Sequence, residues 1–400
     1  MQSNLRLRHQ SGFLALLCTQ ALALAPALAI AIALALTFAL ALPALPAMAA
    51  DREPIRLGMV NAQTGPASAL GQGMLAGAQA VFKDVNLRGG VHGRQIALQV
   101  ADDGYEPEQT VEQTLRMVQD NQVLALFGYV GTPTTNAVLP LLAEMKVPLV
   151  GVFSGAASLR RPVTRQLFNV RASYEEETEA LVAHLIEGGA RRVAVVYQND
   201  GFGIAVLTAV QQALRRGALP LHARAAFQRN TVAIKMALLE MLQAQPDTIV
   251  LAGPYVPVAA FIQQARALGL PSRFATVSFV GTESLLARLG NEEVLVSQVM
   301  PFVQDKRHAI TRDCADLLQR HAGEALSYVN FEGCVNAKTM VAALERAGPQ
   351  LTRDSLLRSL ESMEALDLGG YSLHFSADDH QANNAVFLTQ LRAGRIHEVR

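Results

Sequence analysis

The 400-residue chain has no tryptophan and only three cysteines, and its 34 basic and 34 acidic side chains cancel. Each shortage removes a class of function. A chain without a basic excess lacks the electrostatic footprint of a nucleic-acid binder. No His-x-x-x-His or Cys-x-x-Cys pair occurs among the nine histidines and three cysteines, which argues against a zinc site. No Gly-x-Ser-x-Gly elbow presents a serine nucleophile, so no catalytic residue, metal or cofactor is assigned and an enzyme is disfavoured. With aromatic residues at 6%, recognition must rest on Tyr and Phe. Cys314 and Cys334 lie in helical patterns (ITRDCADLLQRH and FEGCVNAKTMVAAL). Buried free thiols are the expectation for them, with a single bridge between the two helices as the alternative in an oxidising compartment.

What the chain does have begins with its N-terminus. Arg6, Arg8 and His9 precede an almost unbroken Ala/Leu run over residues 12–45 that ends in Ala47-Met48-Ala49. Basic start, apolar run and small-x-small end are the pattern of an export signal, which places the mature protein in the periplasm. The run is longer than a signal core of roughly 7–15 residues, so an uncleaved membrane anchor is the alternative. Cys18 follows Leu16-Leu17 rather than a small residue, which argues against a lipoprotein.

Beyond residue 54 apolar runs alternate with amphipathic stripes. Strands are expected at 55–60, 94–101, 123–127 and 147–152, with helices at 71–85, 107–120 and 133–145 between them. The alternation restarts at 167–170 and continues through helices at 175–187, 204–216, 232–243 and 258–268 and strands at 192–197, 221–227, 247–252 and 274–278. Such an order predicts an α/β protein of two doubly wound parallel-sheet lobes. After Pro301 two helices, 309–321 and 330–347, come in succession; they are expected to return to the first lobe, and the final strands to the second. The expected organisation is an export signal at 1–50, lobe one from 51–171 and 302–361, and lobe two from 172–301 and 362–400. Crossings near Arg171-Ala172, Pro301 and residues 366–370 would make a multi-crossing hinge, and two lobes on a hinge make a clamp.

Two clusters of small residues stand at strand ends, where open α/β sheets bind ligands. Gly131-Thr132-Pro133-Thr134-Thr135 opens a helix, and Ser154-Gly155-Ala156-Ala157-Ser158 follows the next strand. Unpaired N–H groups at a helix start suit a small anion. Opposite them, Phe202 and Tyr255 occupy strand-end loops of the second lobe and are expected to form an apolar lid. Gly71-Gln72-Gly73-Met74-Leu75-Ala76 imitates a dinucleotide fingerprint, with Asp102-Asp103 as its acid. The preceding strand does not run into the first glycine, however, so these glycines are read as allowing close helix–sheet packing.

The segments IRLGMVNAQTGPASALGQGMLAGAQAVFKDVNLRGGVHGRQIALQVADDGYEP and FGYVGTPTTNAVLPLLAEMKVPLVGVFSGAASLRRP resemble the leucine/isoleucine/valine-binding protein family, the periplasmic receptors of branched-chain amino-acid ABC importers. The resemblance runs from about Ile55 to the C-terminus. It implies the type I periplasmic binding protein fold, a small amino acid or related carboxylate or amide as ligand, an inner-membrane ABC permease as partner, and a monomer. Ligand carboxylate and ammonium would be held at positions matching Gly131, Ala156 and Ser158, with Leu70, Phe202, Tyr255 and Ser278 nearby. Ser154, Ala157 and Thr134 add N–H and hydroxyl groups, while Gly131 can offer only its backbone N–H. Two departures stand out. Ser278 replaces the glutamate that pairs with an ammonium, so Asp200 or Glu332 substitutes or the ligand lacks an α-ammonium. The family's disulfide positions fall at Tyr105 and Val130. A sensor that regulates a membrane signalling partner through the same clamp is the alternative function.

Overall fold

The computed structural model describes residues 53–399; the export signal expected at 1–50, and the alternative of an anchor, lie outside the described residues. Strand β1 (Ile55–Asn61) leads into helix α1 (Ser68–Leu87), β2 (Ile96–Asp102), α2 (Pro107–Gln119), β3 (Ala125–Phe127), α3 (Thr132–Met145), β4 (Leu149–Val150) and β5 (Leu167–Phe168). Each of these strands is an apolar run, and the helices between them cover the sheet. They form a parallel sheet in the order β2-β1-β3-β4-β5. The chain reverses its direction of travel between β1 and β3, so a crevice lies beyond their carboxyl ends.

The second lobe follows as α4 (Tyr174–Glu187), β6 (Val193–Gln198), α5 (Gly201–Arg216), β7 (Ala223–Phe227), α6 (Lys235–Ala244), β8 (Thr248–Ala252), α7 (Tyr255–Ala267) and β9 (Arg273–Thr276), then α8 (Thr282–Leu289) and β10 (Val294–Gln298). Its seven-stranded sheet runs β14-β13-β10-β9-β8-β6-β7, where β13 is Phe387–Arg392 and β14 is Arg395–Val399. The strands from β6 to β10 pair in parallel; β13 and β14 add an antiparallel edge.

Helices α9 (Ala309–His321) and α10 (Tyr328–Ala347) pack back on α1 of the first lobe. The contact is close because Gly77 has no side chain: a Cβ there would collide with the Asn330 carbonyl and the Cys334 amide of α10. Within the glycine-rich segment itself, a Cβ at Gly71 would collide with the Ala62 carbonyl just after β1 and one at Gly73 with the Val329 side chain of α10. Asp102 ends β2. Its carboxylate accepts from the Gln63 amide (2.8 Å), the Thr64 hydroxyl (2.6 Å) and the Gly104 amide (2.9 Å), bracing two loops. Cys314 and Cys334 are joined in a disulfide between α9 and α10. This corrects the expectation of free thiols: packing on a common helix sets the two cysteines side by side.

The return of the tail to the second lobe comes later than residue 362. After α11 (Arg353–Glu361) and a small hairpin, β11 (Leu366–Asp367) with β12 (Ser372–Leu373), the chain runs along the free edge of β5. There the Asn169 amide donates to the His380 carbonyl (2.8 Å) and the Ala382 amide to the Asn169 carbonyl (2.8 Å). The ring of Phe168 stacks on His380 at 3.9 Å and meets Phe375 edge-on. An edge strand's free N–H and C=O groups explain the detour; only then does the chain enter β13.

Candidate functional site

Both sheets point their carboxyl ends at the cleft, and the two small-residue clusters meet there. The Thr132 and Ser154 hydroxyls share a hydrogen bond of 2.8 Å, linking the first cluster to the second. Gly131 is the N-cap of α3 with φ of 101°, and the ring of Tyr105 lies where a side chain would project. Its N–H, expected to serve a ligand, donates instead to the Phe153 carbonyl (3.1 Å) and zips the two loops together. Thr134 is also turned inward: its hydroxyl donates to the carbonyls of Val130 (2.6 Å) and Gly131 (3.0 Å), as a threonine in a first helical turn readily does. Ala156 is buried and its N–H donates to the Ser154 hydroxyl (3.3 Å). Ala157 opens a short 3-10 turn and is half-buried; Ser158 is exposed and donates to Asn136 Oδ1 (3.2 Å). A recess of about 330 Å³ opens outward here, between Asn136, Ala157 and Ser158 on one side and Tyr174, Gly201 and Thr208 on the other.

Two buried arginines hold this loop in place. Arg160 donates to the carbonyls of Ser154, Ala156 and Arg171, each at 3.1 Å, and to the Gln381 side chain. Burial draws its pKa down to about 10. Arg171, at the first crossing between lobes, is fully buried beneath the Phe153 ring, 4.7 Å from its centroid. It pairs with Glu177 at 3.0 Å and Glu332 at 3.5 Å, and donates to the Ser278 hydroxyl. Burial works against its charge, but Glu332 and Glu177 more than offset that and hold its pKa above the ordinary arginine value.

Ser278 does not leave the cleft without acid. Its N–H (2.9 Å) and hydroxyl (3.0 Å) donate to Glu177, which also accepts from the Ser297 hydroxyl (2.7 Å). Glu177 therefore enters from α4 directly beside Ser278. All four of these bonds with Arg171, Ser278 and Ser297 engage its oxygens. Glu332, from α10, is less occupied: Oε1 has no hydrogen-bond partner among the described residues. Burial raises its pKa to about 7, with Arg171 counteracting and Glu177 reinforcing the rise. Asp200 is engaged elsewhere, capping α5 through the amides of Phe202 (3.0 Å) and Gly203 (3.1 Å) and accepting from Gln198 (2.6 Å).

That cap starts α5 at Gly201, three residues before the expected position, so Phe202 sits in a first helical turn rather than on a loop. Tyr255 likewise begins α7 after Pro254. Its hydroxyl crosses the cleft to accept from the Ala69 amide (3.2 Å) and to meet the Ser68 hydroxyl (3.5 Å) at the start of α1. Leu70, in the same turn, is buried against Gly281 of the second lobe. The centre of the cleft is aromatic: the Phe279 ring lies 4.3 Å from Phe202, 5.5 Å from Phe153 and 6.0 Å from Tyr105, and Tyr174 meets Phe202 at 5.4 Å. Near the cleft's mouth Arg229 pairs with Glu106 at 2.6 Å and Asn230 donates to the Gly104 carbonyl at 3.0 Å.

Arg160, Arg171, Glu177, Tyr105 and Tyr174 were not among the residues expected at the site. A signal existed for the arginines, since charged residues inside the otherwise apolar LFNVRAS and inside GAASLRRP are costly to bury unless paired. Nothing in the spacing pointed to Glu177, which is one of three consecutive glutamates in a first helical turn.

Comparisons of the whole chain with known proteins agree with one another. A family model described as periplasmic binding protein matches residues 54–395. The leucine-specific-binding protein of Salmonella typhimurium is 24% identical over 266 residues, 65% of this chain and 70% of that protein. Among solved structures, a possible leucine/isoleucine/valine-binding protein from Rhodopirellula baltica superposes with a TM-score of 0.83 at 31% identity, covering 90% of this chain and 98% of that one. A substrate-binding periplasmic protein from Ralstonia solanacearum gives 0.82 at 28% identity, covering 86% and 100%.

Proposed function

This chain belongs to the periplasmic binding protein family, and we propose that it is the exported solute receptor of an ABC importer. It closes over a small amino acid or a related carboxylate or amide and hands it to an inner-membrane permease. The observation that carries this reading is the meeting of two sheets' carboxyl ends over one buried cluster, with Tyr255 bonding across the gap to the start of α1. A hinged pair of lobes that encloses its ligand presents different surfaces when loaded and empty, which is what a permease needs to distinguish. The names of the relatives, all binding proteins, support binding without turnover, and the N-terminal run supports export. No helix among the described residues is long and apolar enough to cross a membrane. Ser154, Ala156, Ala157 and Ser158, with Thr132, form the polar side of the proposed site. Phe202, Tyr255 and Ser278 form the facing side, and Arg171 and Glu332 its floor.

Thermal unfolding followed with an extrinsic dye, against a panel of L-amino acids, aliphatic and aromatic carboxylates and amides, tests the reading. A ligand present at about 1,000 times its dissociation constant adds roughly 4 kcal/mol to stability, so at least one member should raise the midpoint visibly. A midpoint unmoved by every compound would remove the receptor reading.

A further inference from the structure

Four helix starts converge on one side of the cleft. On lobe one α1 and α10 begin side by side, with the Val329 side chain lying where a Cβ on Gly73 would project. On lobe two α7 begins at Tyr255 and α8 at Thr282, directly after Gly281, whose missing side chain leaves room for Leu70 of α1. Helix starts carry N–H groups that the helix leaves unpaired, and here lobe two takes up one from each helix of lobe one. Tyr255 accepts from the Ala69 amide of α1. The second bond runs from the Tyr328 amide of α10 to Glu283 Oε1 of α8, at 3.0 Å. Helix α10 leaves that amide to an outside partner, because its capping box joins the Ser327 hydroxyl to the Asn330 amide (3.3 Å) and the Asn330 carbonyl to the Ser327 amide (2.7 Å).

The two bonds across the cleft differ in chemistry, since a phenol stays neutral near pH 7 whereas a carboxyl can be made to titrate there. Closed lobes remove Glu283 from water, and burial raises its pKa from 4.5 to about 7 against the lowering effect of its amide bonds. Parting α8 from α10 returns the carboxyl to water and to its ordinary value. The titratable groups around it do not reverse this. Burial and Glu283 together raise the Tyr328 phenol of α10 above the ordinary tyrosine value, and Glu398 of β14 acts on it in the same sense. Arg288, on the same helix as Glu283, lies over the Tyr255 ring at 5.0 Å from its centroid.

We propose, resting on the clamp motion of the receptor reading, that Glu283 is a proton-operated latch: closing the lobes binds a proton at its carboxyl while the carboxyl holds the start of α10, and opening releases that proton. Between about pH 4.5 and pH 7 the closed form keeps a proton that the open form has lost. Closure is therefore favoured as pH falls and loses this support as pH rises through 7. From pH 8 to pH 5.5 the ratio of closed to open molecules should rise about tenfold.

Small-angle scattering of the ligand-free protein at pH 8 and pH 5.5, on wild type, Glu283→Gln and Glu283→Ala, reads the lobe equilibrium. The wild-type radius of gyration should be smaller at pH 5.5. Glu283→Gln keeps an acceptor but cannot titrate, so it should be as compact at pH 8 as at pH 5.5. Glu283→Ala has neither property and should stay expanded at both. Carbon-13 NMR of the glutamate carboxyls follows the proton itself, with the Glu283 signal assigned by its loss in Glu283→Gln; it should titrate above the ordinary glutamate range, and this readout remains should the alanine variant fail to fold. A wild-type radius indifferent to pH would overturn the latch, as would a Glu283 signal titrating near 4.5. An equal contraction in Glu283→Gln would overturn it too, by placing the proton on another buried acid such as Glu332. The thermal panel decides the receptor reading separately: if no compound raises the midpoint while scattering responds as expected, that reading fails and the latch stands as a property of the clamp.

Discussion

Glu332 carries the pH sensitivity of the cleft floor. It faces Arg171, with Glu177 and Arg160 close behind and Tyr371 beside it. Its folded-state pKa is raised from 4.5 to about 7 by burial, so between those values the folded chain holds a proton that the unfolded chain has lost. Its contribution to stability is therefore complete below the unfolded pKa and is lost as pH rises through the folded one. Burial raises Asp103 to about 6 and Glu283 to about 7, and both act in the same sense. The midpoint of thermal unfolding should fall between about pH 5 and pH 8, and Glu332→Gln, which cannot ionise, should flatten that fall. An equal fall in the variant would mean that Glu332 is ionised throughout. At this scale the sequence was partly legible. It showed that Ser278 lacked an acid and that Glu332 was a candidate to replace it, but Glu177 arrives through a helix packing on β10, a contact that no local pattern encodes.

Lobe one is stapled at the element scale by the α9–α10 disulfide, which closes a sequence separation of 20 residues beneath the helix pair α1 and α10. Closing a loop of that size is worth about 3 kcal/mol in the chain-entropy account. Cys314→Ala with Cys334→Ala, or reduction with dithiothreitol, should lower the midpoint of urea unfolding accordingly; a midpoint indifferent to both would show that packing on α1 alone holds the helices. Elements with strong periodicity were visible in the sequence because their burial pattern is local: α2 and the strands β6 and β8 fell within a residue of where apolar spacing put them. Boundaries moved where a cap or turn decided them, as at Asp200 for α5. The stretch that forms α8 and β10 was not read, because an eight-residue helix is separated from a five-residue strand by only a short Gly290–Glu293 turn. The antiparallel strand β13, expected at 385–391, spans Phe387–Arg392 beside β10.

Across the whole molecule, the bonds between lobes differ in weight. Arg229 and Glu106 are 23% and 41% exposed, so their attraction is screened and worth little. Tyr255 is buried and its hydroxyl takes up an α1 amide that the helix itself leaves unpaired. Tyr255→Phe should therefore weaken ligand binding by about 0.5–1.5 kcal/mol, and more than Arg229→Ala does, with the dissociation rate from stopped flow carrying most of the loss. Equal effects of the two substitutions would place closure in the rim instead. The pairing of α1 with α10 reaches further still. A chain emerging amino-terminus first exposes the glycine-lined face of α1 long before the helix that must cover it exists, whereas β6 through β10 are contiguous and can assemble as soon as they appear. The parallel part of the second lobe is thus able to form early in synthesis, while its antiparallel edge β13–β14 arrives last, and the first lobe stays unfinished until almost the last helix has been made.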